Sequence, residues 1–231
     1  MDNAIVTAIT KAKNRNSLFH FTRVCNVSVI AYFDAILSSY QINHHIAGER
    51  RVKAVQVDYE GYDITINAHL RIPDQMIDAA ITQEQFREAL DRHVFFWPTL
   101  KDCQKMMNTY SRREPEERFA VLELDAYSLI SGHASAVKLT KYDSGSSPRF
   151  PAHCSYKKSL DMFLPLDRFQ VVRNNFVPVK PSDIREVLVE DRVNHMSSYL
   201  KSVYVDHGED VPERWRNLTR PLVDLRDMER K

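Results

Sequence analysis

Five glycines in 231 residues, against ten prolines, leave this chain almost no means of building the glycine-rich loops with which many nucleotide-binding folds cradle phosphate. Neither GxGxxG nor GxxxxGK[ST] occurs, which argues against a dinucleotide-binding doubly wound sheet and against a P-loop fold. The chain still has material for a core, since 43% of its residues are hydrophobic and 27% charged, ordinary values for a globular protein. Its length suits one sizeable core, or a core domain plus a tail. Basic and acidic residues nearly cancel, 32 against 31, so any nucleic-acid surface has to be a local patch. Cys25, Cys103 and Cys154 are far apart and form no CxxC pair, so neither a zinc ribbon nor a disulfide framework is expected, and no metal. The polar N-terminus lacks the apolar centre of a signal peptide, and no stretch approaches the roughly 18 apolar residues that cross a bilayer. The expected location is the cytoplasm.

Hydrophobic periodicity predicts strands and helices interleaved without the long spacing of a parallel doubly wound sheet, hence an α+β domain with a mixed or antiparallel sheet. A strand is expected over residues 18–22, then a helix capped by Asn26 with Val27, Ile30, Phe33 and Leu37 inward. Strand-like pieces follow at 55–57 and 64–66. Thr82 and Gln85 have capping-box spacing for a helix that turns Phe86, Ala89 and Leu90 inward. An aromatic strand over 94–97 is stopped by Pro98, and a helix from about Thr99 sets Leu100, Cys103, Met107 and Tyr110 on one side. Strands are expected at 119–124 and around Val137 and Leu139, with a helix between them capped by Asp125 and ended by Gly132. A loop covers 144–148, and late strands are expected at 162–164, 169–172 and 184–189. Residues 206–231 carry seven acidic and six basic residues and few apolar ones, which predicts a solvated helical tail after a domain over 1–205.

Four places carry candidate chemistry. His20 shares a strand face with Leu18 and Thr22, so it is either a core-edge histidine or a hydrogen-bonding group for a ligand. Glu186 falls between Ile184 and Leu188 on one face, as an edge charge or as a deliberately placed acid. Phe95, Phe96 and Trp97 are core, or a stacking wall for a flat ring. Between residues 138 and 158, Lys138, Lys141, Arg149, Lys157 and Lys158 face one acid, Asp143, with Tyr142, Phe150 and Tyr156 interleaved. That mixture is either a solvated loop or phosphate contacts combined with base stacking, as on single-stranded nucleic acid.

Leu18-Phe19-His20-Phe21-Thr22 followed by Asn26 and Ile30 resembles the opening of the DarT-type ADP-ribosyltransferases, a strand reading [LY]-[YF]-H-F-T before an Asn-capped helix. Arg185-Glu186-Val187-Leu188-Val189 resembles that family's closing strand, which carries its catalytic glutamate, and His93 to Pro98 sits where the family has an aromatic strand ending in Asn-Pro-Arg. The span 93–189 also resembles a related bacterial family with a VFFW strand, a VLELD strand and a Ser-Gly-Ser loop. One position departs from the pattern: Thr99 stands where the family has its arginine, leaving Arg71, Arg92 and Lys101 as candidates for that role.

The resemblance covers about residues 17–205 and implies a split mixed β-sheet that binds NAD between its halves. It assigns Glu186 and His20 to catalysis, and His20, Phe21, Thr22, Asn26, Phe96 and Trp97 to the cofactor. The Phe21 main chain would pair with the carboxamide, and Trp97 or Phe96 would contact the nicotinamide ring. It implies a mono-ADP-ribosyltransferase acting on a macromolecule, with RNA or single-stranded DNA favoured, in the manner of toxins of toxin–antitoxin or anti-phage systems with an antitoxin protein as partner. Two other readings stay open. One is an inactive fold of this kind that binds nucleic acid or a partner. The other is an NAD-dependent RNA 2′-phosphotransferase-like enzyme.

Overall fold

The computed structural model of the protein describes residues 3–12, 14–148, 150–152 and 154–225. The first half of the chain runs α1 (Asn3–Thr10), β1 (Ser17–Arg23), α2 (Val24–Phe33), β2 (Ala35–Leu37), α3 (Ser39–Ile42), β3 (Val55–Tyr59), β4 (Tyr62–Ile66), α4 (Gln83–Asp91), β5 (His93–Phe96) and α5 (Leu100–Arg113). The second half runs β6 (Phe119–Asp125), α6 (Ala126–Gly132), β7 (Val137–Thr140), β8 (Leu164–Pro165), β9 (Glu186–Glu190), β10 (Arg192–Asn194), α7 (Met196–Tyr199), β11 (Leu200–Val205) and β12 (Thr219–Pro221). The result is an α+β fold whose sheet is split in two. One half is mixed, in the order β1-β6-β11-β12, and the other is antiparallel, in the order β5-β9-β7-β8.

The halves join at one residue pair. Phe19 and Trp97 exchange both main-chain hydrogen bonds, at 2.9 and 2.8 Å, and the ladder goes no further. In an antiparallel pair the next such exchange would fall between Phe21 and Phe95. There the imidazole of His20 intervenes, its Nδ1 2.8 Å from the Phe95 carbonyl. A side chain thus takes the acceptor that the neighbouring strand would have used, and the sheet opens at that point.

Alternation then sorts the faces. Leu18, Ala120, Leu122, Leu124, Val94, Phe96, Val187 and Val189 share the main core with α1, α2 and α6. Phe19, Phe21, Trp97 and Val121 form a second cluster with α5 through Cys103 and Met106. The amphipathic spacing of α4 and α5 is realised as expected, with the Thr82–Gln85 capping box formed and Thr99 capping α5 by accepting from the Asp102 amide at 3.2 Å. Asp125 likewise caps α6, which ends at Gly132. The pieces at 55–57 and 64–66 belong to one hairpin, β3–β4, whose turn residues Glu60 and Gly61 both have positive φ, 52° and 82°, as a two-residue turn matching the strand twist requires.

Several expectations are corrected. Leu37 lies in β2 and not on the helix, which ends at Phe33, and Met162 ends a 3-10 turn, so that of residues 162–164 only Leu164 enters a strand. Asn26 does not cap α2, which starts at Val24 with Arg23 in the capping position and no side-chain cap. Residues 169–172 form no strand. Phe169 ends a short 3-10 turn, and its ring is buried in the core. Residues 226–231 lie outside the described residues, and over the described residues 206–225 the segment from Asp206 is not a solvated helical tail. It makes two 3-10 turns, adds β12 in parallel to β11, and buries Val211, Trp215 and Leu225. The apolar residues are few but spaced to reach the core, and Trp215 Nε1 donates to Ser197 Oγ at 2.9 Å. Among the described residues no helix is long and apolar enough to cross a membrane.

Candidate active site

A cavity of about 670 Å³ lies where the sheet splits, within the range of small-molecule sites. His20, Phe21, Thr22, Asn26, Trp97 and Glu186 all line it, which brings together residues that the sequence could only propose separately. Phe96 does not. It is fully buried in the main core, and the aromatic faces on the cavity are those of Phe95 and Trp97. The strand period was legible, but both faces of β5 are apolar, so the sequence could not say which one is core.

The Phe95 carbonyl can only accept, so the bond to His20 places the proton on Nδ1 and leaves Nε2 as an acceptor. Burial pushes the imidazole down to about 4, with the carbonyl bond partly opposing, so the ring is neutral. Because Phe19 uses its main-chain groups toward Trp97, the strand period directs those of Phe21 to the same opened edge, where they have no partner among the described residues. One N–H and one C=O side by side on a cavity edge match a primary carboxamide. Asn26 holds the wall instead of offering its amide freely. Its Nδ2 donates to the Thr65 carbonyl and its Oδ1 accepts from the Thr65 amide, each at 2.9 Å, tying β4 to α2.

Glu186 sits at the start of β9, paired with Thr140 of β7, and is 1% exposed. Its Oε2 accepts from Thr140 Oγ1 at 2.9 Å, from the Ser144 amide at 3.0 Å and from Ser144 Oγ at 2.7 Å. Its Oε1 is buried without a hydrogen-bond partner among the described residues, although buried carboxylate oxygens are almost always satisfied. One oxygen is therefore fixed by three donors while the other has none among the described residues. Burial and the neighbouring Asp143 charge push the carboxyl up to about 7, against the pull of the Ser144 bonds and the Lys158 ammonium. A value there lets the group act as a base near neutral pH. Thr140 and Ser144 were not picked out from the sequence, because only the β7–β9 pairing brings them to Glu186.

The positions proposed to replace the family arginine separate clearly. Thr99 is a helix cap, donating from Oγ1 to Asp102 Oδ2 at 2.7 Å. Arg92 packs over the Tyr40 ring at 3.8 Å and pairs with Glu88, and Lys101 is exposed on α5 away from the cavity lining. Arg71 lines the cavity, exposed and without an ion pair among the described residues, as does Arg50. A second group behind the wall has no local sequence signal. Asp91 binds Arg51 through both oxygens at 3.0 and 2.5 Å, accepts from His69 at 3.0 Å, and accepts from the Gly48 amide at 3.0 Å.

The basic segment is less of a surface than its composition predicts. Lys158 is completely buried and donates from Nζ to the Asp143 carbonyl, so it cannot meet a phosphate at the surface. Tyr142 and Tyr156 stack on each other at 3.9 Å, which occupies one face of each ring. Lys138 lies 3.9 Å from Glu190 across the sheet, and Lys157 lies over the Phe150 ring at 5.4 Å. Lys141 stands beside the Tyr142 ring, and Arg149 lies outside the described residues. Lys141 and Lys157 remain as candidate phosphate contacts.

The two perturbed groups make opposite demands on stability. The Glu186 carboxyl is raised above its ordinary 4.5, so between about pH 4.5 and 7 the unfolded chain ionises first and stability falls as pH rises. His20 is lowered below its ordinary 6.5, so stability falls as pH drops from 6.5 to 4. The Glu186 contribution reaches about 3 kcal/mol, at about 1.4 per pH unit, and that of His20, whose ring is partly open to the cavity, is smaller. Relative to the wild type, Glu186→Gln is therefore expected to gain stability as pH rises from 4.5 to 7. His20→Gln is expected to gain as pH falls from 6.5 to 4. Parallel melting-temperature curves for variants and wild type would contradict both assignments.

The model of a family of unknown function, DUF7002, matches residues 16–200 of the chain. Two solved structures of DarT from Thermus sp. 2.9 are distantly similar to it. The complex with ADP-ribosylated ssDNA is 13% identical with a TM-score of 0.39, over 90% of this chain and 92% of that one. The complex with carba-NAD+ is 15% identical with a TM-score of 0.38, over 90% and 93%. No curated protein matches the chain.

Proposed function

The chain belongs to the DUF7002 family, and from the chemistry of its cleft we propose that it is an NAD-dependent mono-ADP-ribosyltransferase that modifies RNA or single-stranded DNA. One observation carries this reading. A fully buried carboxylate, Glu186, has one oxygen held by three donors and the other unpartnered among the described residues, and it lines the same cavity as a neutral histidine. Breaking the bond between nicotinamide and ribose C1′ sends the electron pair to the nicotinamide nitrogen and builds positive charge on the ribose, as in glycosidases. Ionised Glu186 would stabilise that charge, and would take the proton that the acceptor nucleophile loses on bonding to C1′.

The rest of the cleft has groups for the rest of the dinucleotide. The open main-chain edge of Phe21 suits the carboxamide, His20 Nε2 suits a ribose hydroxyl, and Phe95 and Trp97 offer an aromatic wall. Arg71 and Arg50 are the cations for the pyrophosphate. The toxin role and an antitoxin partner belong to the same proposal and rest on the motif resemblance alone.

Arg71→Ala is expected to weaken NAD binding about tenfold, the value of a charge-assisted hydrogen bond, while the melting temperature stays put because the side chain is exposed. Calorimetric titration with NAD checks this, and unchanged affinity would remove Arg71 from the site. Trp97→Ala is a poorer probe, since the ring is 5% exposed and packs on Phe21 at 5.3 Å. Its loss would cost about 3–5 kcal/mol of stability whether or not NAD touches it. For the acceptor, reversing Lys141 and Lys157 to Glu should weaken binding of a single-stranded oligonucleotide and flatten its salt dependence, with NAD affinity unchanged. Equal binding by the variant would return the segment to a solvated loop.

A further inference from the structure

Among the described residues, Lys158 is the one member of the basic segment that turns wholly inward, and it makes no ion pair within contact distance there. Its main chain is tied to the stretch before α4. The Lys158 amide donates to the Met76 carbonyl and its carbonyl accepts from the Asp78 amide, both at 2.8 Å. From that anchor the ammonium reaches the Asp143 carbonyl. The next residue, Ser144, directs both its amide and its hydroxyl to Glu186 Oε2. Burying an ammonium without a charged partner in contact is costly, so a chain that places one close to a buried carboxylate needs a reason for it.

We infer that Lys158 is the positioning residue for Glu186: its buried charge fixes the turn at Asp143 and Ser144 against the carboxylate and favours the ionised form of that carboxylate. The inference rests on the reading of Glu186 as the catalytic group. Among the described residues, the charged and titratable groups around the ammonium are Asp143, Glu186 and Cys154, with the Tyr156 ring centroid 5.8 Å away. Burial pushes the Lys158 ammonium down while Asp143 and Glu186 hold it up, and the ammonium in turn pulls the Glu186 carboxyl down. A lysine that served packing alone would leave the titration of Glu186 unchanged.

The test follows the carboxyl carbon of Glu186 by NMR, assigned by its loss in Glu186→Gln, in the wild type and in Lys158→Met. Methionine keeps the length of the buried side chain and removes its charge. Removal of the ammonium is expected to move the Glu186 midpoint up by about one pH unit. The rising limb of the pH profile for nicotinamide release should move alkaline with it, with kcat at pH 7 lower by about fivefold and the KM for NAD unchanged. Lys158→Gln keeps a donor for the Asp143 carbonyl without the charge, and should behave like Lys158→Met. Adding Asp143→Asn removes the opposing charge and should bring the midpoint back toward the wild-type value. A Glu186 midpoint that stays in place in both Lys158 variants would overturn the inference. If the midpoint moves but the wild type releases no nicotinamide from NAD, Lys158 keeps its role and the ADP-ribosyl-transfer reading fails.

Discussion

Glu186→Gln is expected to release nicotinamide from NAD about 10²–10⁴-fold more slowly than the wild type, the range for losing a general acid–base group, while folding at least as stably. The amide keeps the outline of the side chain. Its oxygen can occupy the place of Oε2 and accept from Thr140 and Ser144, and its nitrogen then takes the place of Oε1, which faces no donor among the described residues. What disappears is the ability to carry negative charge and to take a proton. Single-turnover nicotinamide release and a thermal melt on the same preparation separate chemistry from folding. Near-normal turnover in a folded Glu186→Gln protein would end the proposed mechanism.

The second large effect is structural. Asp91→Ala is expected to lower the melting temperature by roughly 10 °C, since unpairing a buried charge costs about 3–5 kcal/mol and a chain of this size melts about 2–4 °C lower per kcal/mol. Asp91 is 2% exposed and gathers Gly48, Arg51 and His69, so it fastens the stretch between α3 and α4, one wall of the cleft, to the end of α4. The Arg51 amide donates to His69 Nδ1 at 3.2 Å, which leaves Nε2 to donate to Asp91 and closes the group. Alanine would leave the Arg51 guanidinium buried and unpaired. Replacing the pair together, Asp91→Leu with Arg51→Met, should lose much less than Asp91→Ala. Equal losses in the single and double variants would show that packing, not the ion pair, holds the wall. NAD affinity should fall in Asp91→Ala even well below its melting temperature, because the wall carries cavity-lining residues from Ile64 to Asp74.

Much of this site was legible where its signals are local. His20 lies on the face with Leu18 and Thr22, Glu186 shares a face with Leu188, and the Thr82 and Thr99 caps follow from spacing of three residues. The misreadings have a common physical origin in long-range pairing. Asn26 resembles a cap by its residue type, yet it lies in the first turn of α2 and β4, 39 residues on, claims its amide. Lys158 sits among charges and reads as solvated, until its bridge to Ile77 turns it inward. The group of Arg51, His69 and Asp91 draws its members from positions up to forty residues apart, and no periodicity announces it. The opening of the sheet belongs to the same class. It needs the His20 ring to meet the Phe95 carbonyl, a contact between strands seventy-five residues apart.

The most direct test of the account is incubation of the wild-type protein with NAD labelled in its ADP-ribose, in separate pools of single-stranded DNA, RNA and protein, with Glu186→Gln alongside. The account predicts nicotinamide release together with label on RNA or single-stranded DNA, sensitive to nuclease and resistant to protease, and none of it with Glu186→Gln. Label removed by protease would move the acceptor to protein. No nicotinamide release from the folded wild type in any pool would contradict the central claim.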